Sequence, residues 1–336
     1  MSLLVVNVPI NISGVTPETK GKLLPAFAAT GIPEFIETGK AESGVCWNDF
    51  GASDANYGVI SSLESGEMQD GLKDLGYYAK NPEFEKWAQG FLADLEADGS
   101  VDYSKRDVQI CDECEAPQAL EGVELTRCDC SYCGLALSVH IDSKYVLSLD
   151  LPQKPEDLID KVEVYNPPTN WRGQLVTLPS SILISKKRTE GIEIPSSDGL
   201  VIDAKVLNIL LTLYMGLEKG SDKVSHLLGR PHMNKLVPYT HILRRKDDIP
   251  KLHYIGMSKM PLEAILESCE KANIQFSPGI IYRLVGILAI GNRNWDNENG
   301  VHEATSHLRK ASRHMDFGHI REIVSKSLAA KTARPR

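Results

Sequence analysis

Residues 111–133 read CDECEAPQALEGVELTRCDCSYC and hold five of the seven cysteines of the 336-residue chain. Cys111 and Cys114 form one Cys-x-x-Cys pair, and Cys130 and Cys133 form a second. Two such pairs can present four thiolates in the tetrahedral geometry of a structural zinc site, which leaves no open position for a catalytic water. The stretch therefore predicts one structural zinc ion bound by these four cysteines.

The other three cysteines are assigned less specific roles. Cys128 is a fifth thiol in the stretch, and its Cys-x-Cys spacing to Cys130 suits a zinc knuckle poorly, so it is either a spare or an alternate ligand. Cys46 and Cys269 stand alone in the sequence. An isolated cysteine is more often a small buried apolar residue than a nucleophile, and we expect both to be buried.

The composition is that of a globular protein, with 42% hydrophobic and 24% charged residues. A chain of this length can bury a hydrophobic core without disulfides. Because the net charge is −8, any contact with RNA must be confined to a local patch of the surface. The first apolar run stops at Pro9, too early for a signal peptide or a membrane span. We expect a cytoplasmic protein without membrane contact, where paired cysteines bind metal rather than form disulfides.

The segments around the zinc stretch predict an α/β fold. Two β-rich segments flank it, VDYSKRDVQI (101–110) and LALSVHIDSKYVLSLDL (135–151), so the metal stretch is an insertion mounted on strands. The chain opens as strand, loop and helix, and β-rich and helical runs alternate again after residue 170. We predict a Rossmann-like parallel sheet with an inserted zinc-knuckle subdomain and a helical C-terminal region. The predicted segments are residues 1–105 and 151–262 for the two halves of the sheet domain, 106–150 for the insertion and 263–336 for the helices.

The loop after the first strand, NISGVTPETKGK (11–22), contains Gly14 and Gly21 but neither a dinucleotide-binding nor a P-loop fingerprint. Lys20 and Lys22 can meet a phosphate there, although lysines in such loops are commonly just solvated.

Several stretches resemble the catalytic half of class I aminoacyl-tRNA synthetases, in particular those of the methionyl type. The order of strand, glycine-containing loop, helix and zinc knuckle is similar, and so are the stretches that follow. These are FEKWAQGFLADLEADGSVDYSKRDVQICDEC (84–114), YVLSLDL (145–151), SKKRTEGIEIP (185–195), DGLVIDAKVLNILLTLY (198–214), VSHLLGRPHMNKLVPYTHIL (224–243) and GMSKM (256–260). The resemblance covers most of residues 1 to about 300 and implies a truncated, divergent relative.

The two signatures of that family are altered here. Its His-Ile-Gly-His sequence stabilises charge on the ATP phosphates, whereas the corresponding loop SGVTPETKGK (13–22) has no histidine. The resemblance implies that Gly14, Thr16, Thr19 and Lys20 line the nucleotide instead. Of the family's Lys-Met-Ser-Lys-Ser sequence, Met257, Ser258 and Lys259 match the central three residues, which implies that Lys259 faces pyrophosphate with Ser258 beside it. The alternative is that Lys259 is a solvated residue of a helix's first turn.

Four further residues are candidates for the amino-acid and nucleotide pockets. By resemblance, Asp49 and Asp203 face the amino group or the ribose; the alternatives are a turn residue for Asp49 and a helix cap for Asp203. Gly229 and His232 follow a β-rich run, at what would be the carboxyl end of a parallel strand, where α/β sheets bind ligands. The alternative for His232 is a buried, hydrogen-bonded side chain.

Two functions follow from these expectations. The first is an enzyme that binds ATP and an amino acid and forms or transfers an aminoacyl-adenylate, with a tRNA or a small amine as acceptor. The second is a catalytically inactive scaffold derived from a synthetase, which binds a nucleotide, an RNA or a protein partner. Loss of the histidines favours the scaffold, and retention of the Met-Ser-Lys triplet favours the enzyme.

Overall fold

The structure is a computed structural model. It describes the chain except for residues 1, 8, 37–40, 51, 65–71, 73–75, 126–127, 131, 155–156, 158–161, 170, 196, 198, 244–245, 247, 292–294, 296 and 330–336.

The described strands are as follows: β1 (Leu3–Asn7), β2 (Ile10–Asn11), β3 (Ala41–Asn48), β4 (Gly76–Tyr78), β5 (Asp102–Cys111), β6 (Pro117–Leu120), β7 (Val139–Asp150), β8 (Glu163–Tyr165), β9 (Ser181–Leu183), β10 (Ser185–Lys187), β11 (Leu200–Ile202), β12 (Lys223–Gly229) and β13 (Lys251–Met257). The described α-helices are α1 (Leu24–Gly31), α2 (Asp54–Glu64), α3 (Pro82–Ala97), α4 (Trp171–Val176), α5 (Ala204–Glu218), α6 (Arg230–Leu236), α7 (Leu262–Lys271), α8 (Pro278–Ile290), α9 (Glu298–His314) and α10 (Gly318–Ala329). Short 3₁₀ helices span Ile12–Gly14, Pro17–Leu23, Ile32–Phe35 and Val237–Leu243.

Capping residues in the sequence set the ends of helix α3. The Asn81 side chain accepts hydrogen bonds from the backbone N–H groups of Glu83 and Phe84, at 2.8 and 3.2 Å, and so caps α3. Pro82 occupies the first turn, and Gly99 leaves the helix at a φ of 69°. Asn81, Pro82 and Gly99 thus mark the two ends of α3, and Gly99 supplies the left-handed backbone at its exit.

A parallel sheet forms the centre of the molecule. Its order is β8-β13-β12-β1-β3, with β2 pairing with β3 beyond the end of β1 and β4 pairing with the other side of β3. Each of these pairings is parallel, so all carboxyl ends meet at one edge of the sheet. That edge is where the loops carrying most of the predicted site residues emerge.

The cysteine-rich stretch (residues 111–133) is part of a second, antiparallel sheet of order β6-β5-β7-β9. Strands β5 and β7 pair from Asp102 opposite Ser148 to Cys111 opposite Val139, which makes a long two-stranded arm. The predicted Rossmann-like sheet, the insertion that carries the four clustered cysteines and the helical C-terminal region are all confirmed. The four residue ranges assigned to these parts stay a prediction.

Each of the two faces of the parallel sheet packs against its own hydrophobic core. Leu4 and Val6 point into a core shared with α3, α5 and the antiparallel sheet, whereas Val5 points into a core shared with α1 and with α7 to α10. This alternation follows the two-residue period of a strand, and strands buried on both faces read as continuous apolar runs. Cys46 and Cys269 are buried in these cores, as expected. None of the described helices is long and apolar enough to cross a membrane.

Two histidines are fully buried in the central strands. A His226 ring nitrogen lies 2.5 Å from the Thr212 hydroxyl, and His253 Nδ1 lies 3.0 Å from the Ser225 hydroxyl. Burial lowers the pKa of each histidine to about 3, and the nearby Lys223 also lowers the pKa of His253. Both imidazoles are therefore neutral in the folded protein at neutral pH.

These histidines make stability depend on pH. Because their folded-state pKa lies below the unfolded value of about 6.5, the unfolded chain takes up protons first as the pH falls, and stability is lost on acidification. From about pH 7 to pH 5.5 we expect each histidine to lower the free energy of unfolding by about 1 kcal/mol. Urea unfolding at both pH values measures this. The variant His253→Gln should show a smaller pH effect than the wild type; an equal effect would contradict the assignment.

Gly256 permits a close approach between β13 and the segment after β8. A Cβ atom at this position would overlap the carbonyl oxygen of Asn166. The Asn166 side-chain amide in turn donates hydrogen bonds to the carbonyl oxygens of Gly256 and Ile290, at 2.8 and 3.2 Å. This contact ties the carboxyl ends of two parallel strands to the end of α8.

The variant Gly256→Ala is expected to destabilise the protein by about 1–3 kcal/mol, the usual cost of overpacking, because backbone must move to admit the methyl group. Gly90→Ala is the matched control, since nothing lies within 4 Å of the added methyl group in helix α3. There the change should stabilise by about 0.5–1 kcal/mol. Urea denaturation tests both, and equal stabilities for the two variants would show that the close approach is absent.

Candidate functional site

The four predicted metal ligands come together at the end of the antiparallel arm. Cys111 is the last residue of β5, and Cys114 lies in the turn that follows it. A second turn brings in Cys130 and Cys133, where the backbone N–H of Gly134 donates to the Cys130 carbonyl oxygen. The Sγ atoms of Cys111 and Cys133 lie 4.0 Å apart, and those of Cys114 and Cys130 lie 3.6 Å apart.

This arrangement fits zinc. All four sulfur atoms lie within 4.8 Å of one another. A tetrahedral zinc ion with Zn–S bonds of about 2.3 Å requires sulfur separations of about 3.8 Å, close to the two distances given above. Within the described chain it is the one group of three or more cysteine, histidine or acidic side chains that could hold a metal ion. Cys128 is exposed and lies outside the group, so it is a spare cysteine in this geometry.

Hydrogen bonds to sulfur favour a thiolate at Cys130. Its Sγ accepts from the backbone N–H of Tyr132 and from the side-chain amide of Gln118, both at 3.4 Å. Burial raises the pKa of Cys130, but backbone N–H donors and the adjacent thiols outweigh it and lower the pKa to about 6. Burial raises the pKa of Cys114 to about 12, so zinc must displace its proton on binding.

A second candidate site lies at the carboxyl edge of the parallel sheet. The loop after β2 forms the 3₁₀ turn Ile12–Gly14 and then the 3₁₀ helix Pro17–Leu23. The Gly14 carbonyl oxygen accepts from Lys22 Nζ at 2.9 Å and from the Thr19 hydroxyl at 3.0 Å. The hydroxyl of Thr19 also accepts from the backbone N–H of Thr16 at 2.8 Å. Three of the predicted nucleotide residues thus share one hydrogen-bonded turn, and the side chain of Lys20 lies outside the described residues.

Ser258 and Lys259 directly follow β13 at the same edge. The Ser258 backbone N–H donates to the Ala289 carbonyl oxygen at 2.7 Å, which anchors the segment to α8. The Lys259 side chain is exposed and forms no ion pair within the described chain. A Cβ atom on Gly21 would lie 3.9 Å from the Leu262 side chain. The loop after β2 therefore approaches the start of α7, three residues beyond Lys259.

The two candidate aspartates have local structural partners. Asp49, at the end of β3, is buried, and its carboxylate accepts from the Lys80 backbone N–H at 2.9 Å. Burial raises the pKa of Asp49, although that hydrogen bond and the charge of Lys80 lower it. The Asp203 carboxylate accepts from the Lys205 backbone N–H at 2.8 Å and caps α5. Asp203 therefore acts as a helix cap, which was the alternative expected from the sequence. The role of Asp203 in an amino-acid pocket stays a prediction.

Gly229 and His232 lie at the junction of β12 and α6. Gly229 ends β12 and precedes α6, and His232 is exposed in the first turn of that helix. Partial desolvation of the ring, and to a lesser degree the charge of Lys235, lowers the pKa of His232. The alternative of a buried His232 is wrong, because the first turn of this short helix faces outward.

Sequence reasoning missed Asn166 at this edge. The Arg230 guanidinium donates to the Pro167 carbonyl oxygen at 2.9 Å, which connects α6 to the segment after β8. The amide oxygen of Asn166 is buried and has no hydrogen-bond partner among the described residues. The signal for Asn166 was its position before Pro167, since Asn-Pro marks a turn, but its partners come from β13 and α8 and are remote in sequence.

Comparison with solved structures identifies the architecture. The chain is similar to Mycobacterium tuberculosis methionyl-tRNA synthetase in its free state, with a TM-score of 0.53, 11% identity, and coverage of 85% of this chain and 61% of that one. The chain has a methionyl-tRNA synthetase-like fold. It also matches two structures of that enzyme with methionyl-adenylate, at TM-scores of 0.50 and 0.51 and identities of 11% and 12%. Coverage is 77% and 85% of this chain and 58% and 63% of those chains.

The synthetase-like fold agrees with the class I resemblance seen in the sequence. At these identities the likeness concerns the fold, and the chain spans about three fifths of the length of the matched structures. No protein-family model matches the sequence, and no curated protein matches it either.

Proposed function

We propose that this protein binds ATP and an amino acid and forms or transfers an aminoacyl-adenylate. The observation that best supports this function is the carboxyl edge of the parallel sheet, where Ser258 and Lys259 follow β13 and the loop after β2 approaches the start of α7, three residues beyond Lys259. Such edges are the ligand-binding crevices of open α/β sheets. The synthetase-like fold adds the reaction class, because the matched structures contain methionyl-adenylate.

In the proposed reaction, a carboxylate oxygen of the amino acid attacks the α-phosphorus of ATP, and the bond to the β-phosphate breaks to release pyrophosphate. The protein holds the two substrates together and stabilises the charge that develops on the phosphates. Lys259 supplies positive charge to the departing pyrophosphate, and Ser258 lies beside it. Asp49 and Asp203 face the amino group or the ribose, and Gly229 and His232 line the nucleotide.

The loop after β2 contributes the remaining phosphate contacts. Lys22 is held over the turn by a neutral acceptor, the Gly14 carbonyl oxygen, so its positive charge is available to a phosphate. Lys20, Thr16, Thr19 and Gly14 complete this side of the nucleotide site. The adenylate then loses AMP when a hydroxyl group of tRNA or the amino group of a small amine attacks its carbonyl carbon, and the attacking group gives up one proton.

Zinc has a structural role in this proposal. Cys111, Cys114, Cys130 and Cys133 fill all four positions of a tetrahedral site, so the metal joins the two turns at the tip of the arm. It takes no part in the chemistry at the sheet edge.

Exchange of labelled pyrophosphate into ATP tests the function. Zinc-loaded protein is assayed with each common amino acid, with and without tRNA, and the expected result is exchange that depends on one amino acid. No exchange with any amino acid, from folded and metal-loaded protein, would contradict the enzyme.

The geometry of the loop supports one alternative, a non-catalytic scaffold. The hydroxyls of Thr16 and Thr19 lie 3.2 Å apart and form hydrogen bonds with each other and with the backbone of the turn. These hydroxyls are therefore less available to donate hydrogen bonds to ATP phosphates. A scaffold of this kind binds a nucleotide, an RNA or a protein partner without catalysing exchange. Measured binding of ATP in the absence of exchange would favour it over the enzyme.

A further inference from the structure

A cleft of about 690 Å³ lies away from the carboxyl-edge residues assigned above to the phosphates. Its walls come from β6, from β9 and β10, from the N-terminal end of α5 and from α6 with the 3₁₀ helix after it. None of its lining residues belongs to the loop after β2 or to the segment from Met257 to Lys259. Its volume is within the usual range of small-molecule sites, about 300–1,000 Å³.

Four basic side chains line this cleft: Lys186, Arg188, Lys205 and Lys235. Two of them are held by neutral partners. Lys186 Nζ donates to the Gln118 carbonyl oxygen at 2.8 Å, and Lys205 Nζ donates to the Tyr239 hydroxyl at 3.1 Å. Lys205 Nζ also lies 4.8 Å from the centre of the Tyr239 ring. The contacts with Tyr239 orient the Lys205 ammonium group without neutralising its charge.

The two acidic residues of the cleft offset only part of this positive charge. Asp203 lines it, but its carboxylate is buried and bonds to the backbone N–H of Lys205 as the cap of α5. Glu124 is the other acidic lining residue, and its side chain is exposed to solvent. Arg188 and Lys235 are exposed and form no ion pair within the described chain. The cleft therefore carries a net positive charge.

The rest of the lining is largely apolar. Leu120, Leu178, Ile182 and Pro238 contribute to it, next to the basic groups. A ligand that matches both the apolar and the basic lining has an apolar body and at least one negatively charged group. The apolar walls favour burial of its carbon atoms, and the basic side chains favour a carboxylate or phosphate.

We propose that this cleft is a binding site for a small organic anion, one that carries a carboxylate or phosphate on an apolar body. Asp203 lines this cleft and is also assigned to the proposed substrate pocket, whereas the four basic side chains are not, so the anion contacts they make go beyond adenylate formation. A protein that fails to catalyse pyrophosphate exchange can still bind such an anion, and its binding can be measured without nucleotide or amino acid.

Isothermal titration of the full, zinc-loaded chain tests this site with three probes: phenyl phosphate, benzoate and inorganic phosphate. We expect phenyl phosphate to bind more tightly than inorganic phosphate, since only the former has an apolar body. Benzoate distinguishes carboxylate from phosphate ligands. The double variant Arg188→Gln/Lys235→Gln should weaken phenyl phosphate binding at least about tenfold, because charged hydrogen bonds are lost while the core is untouched.

Two control proteins locate the binding. Lys310→Gln/Arg313→Gln removes the same charge from exposed positions on α9, and Lys259→Gln removes the cation at the end of β13. Both should bind phenyl phosphate as the wild type does. Binding that is unchanged by Arg188→Gln/Lys235→Gln, or lost in Lys259→Gln, would overturn the proposal. So would affinity for a single-stranded oligonucleotide that depends on Arg188 and Lys235 when none of the small anions binds.

Discussion

Replacing Cys130 by serine is expected to weaken zinc binding by at least about 100-fold, because loss of a ligand should cost more than loss of an outer-shell partner, which typically costs 10–100-fold. Cys130 is buried, its Sγ accepts two N–H hydrogen bonds, and the backbone donors and adjacent thiols lower its pKa to about 6, which favours the thiolate that binds zinc. A competition titration with a chromophoric chelator measures the affinity. Elemental analysis of the wild type should give one zinc ion per chain.

The matched control is Cys128→Ser, a cysteine two residues away whose thiol lies outside the four-sulfur group. It should retain wild-type zinc affinity. Equal losses in both variants, or a disulfide-bonded protein without metal, would contradict the site.

Removal of zinc should open the tip of the arm and leave the parallel sheet folded. The apolar cluster around the ligands has just three buried residues, Cys111, Ala116 and Cys130, whereas the two main cores are large. Metal binding therefore supplies most of the stability of this tip. Hydrogen exchange after chelation should increase within residues 111–137; exchange that increases equally in β12 and β13 would show that the metal stabilises the whole fold.

Substituting Lys259 by alanine is expected to reduce pyrophosphate exchange by about 10²–10³-fold, the usual cost of removing one donor that stabilises transition-state charge. The side chain is exposed and unpaired within the described chain, so its loss should leave the free energy of unfolding nearly unchanged. The effect should fall on the rate of exchange, and it is measured at saturating ATP and amino acid.

Lys310→Ala provides the control, because this lysine is also exposed but lies on α9. It should exchange pyrophosphate at the wild-type rate. An active Lys259→Ala variant would remove this lysine from the mechanism while leaving the adenylation reaction itself intact.

Much of the candidate metal site could be predicted from the sequence. Its ligands are two pairs with fixed short spacing, so local geometry decides which sulfur atoms can converge. The helix of residues 82–97 was equally predictable, because Asn81, Pro82 and Gly99 act on backbone within a few residues of themselves. In both cases the interactions that determine the structure join residues that are close together in the sequence.

The edge of the parallel sheet was predictable in outline only. The sequence indicated parallel strands and a glycine-containing loop, but it did not indicate that Asn166 would bond to the carbonyl oxygens of Gly256 and Ile290. These partners lie 90 and 124 residues away. Contacts of that kind depend on strand order and on helix packing, which no local pattern encodes.

The sequence by itself determined which four cysteines cluster, the α/β class and the order of the elements, because these follow from spacing and from hydrophobic periodicity. Only the tertiary structure decided that Cys128 is outside the metal group, that His226 and His253 are buried and neutral, and that four basic residues from three separate segments line one cleft. The physical reason is the same in each case. Burial and charge at a point in space are set by residues from distant parts of the chain, and they exist only once those parts have packed together.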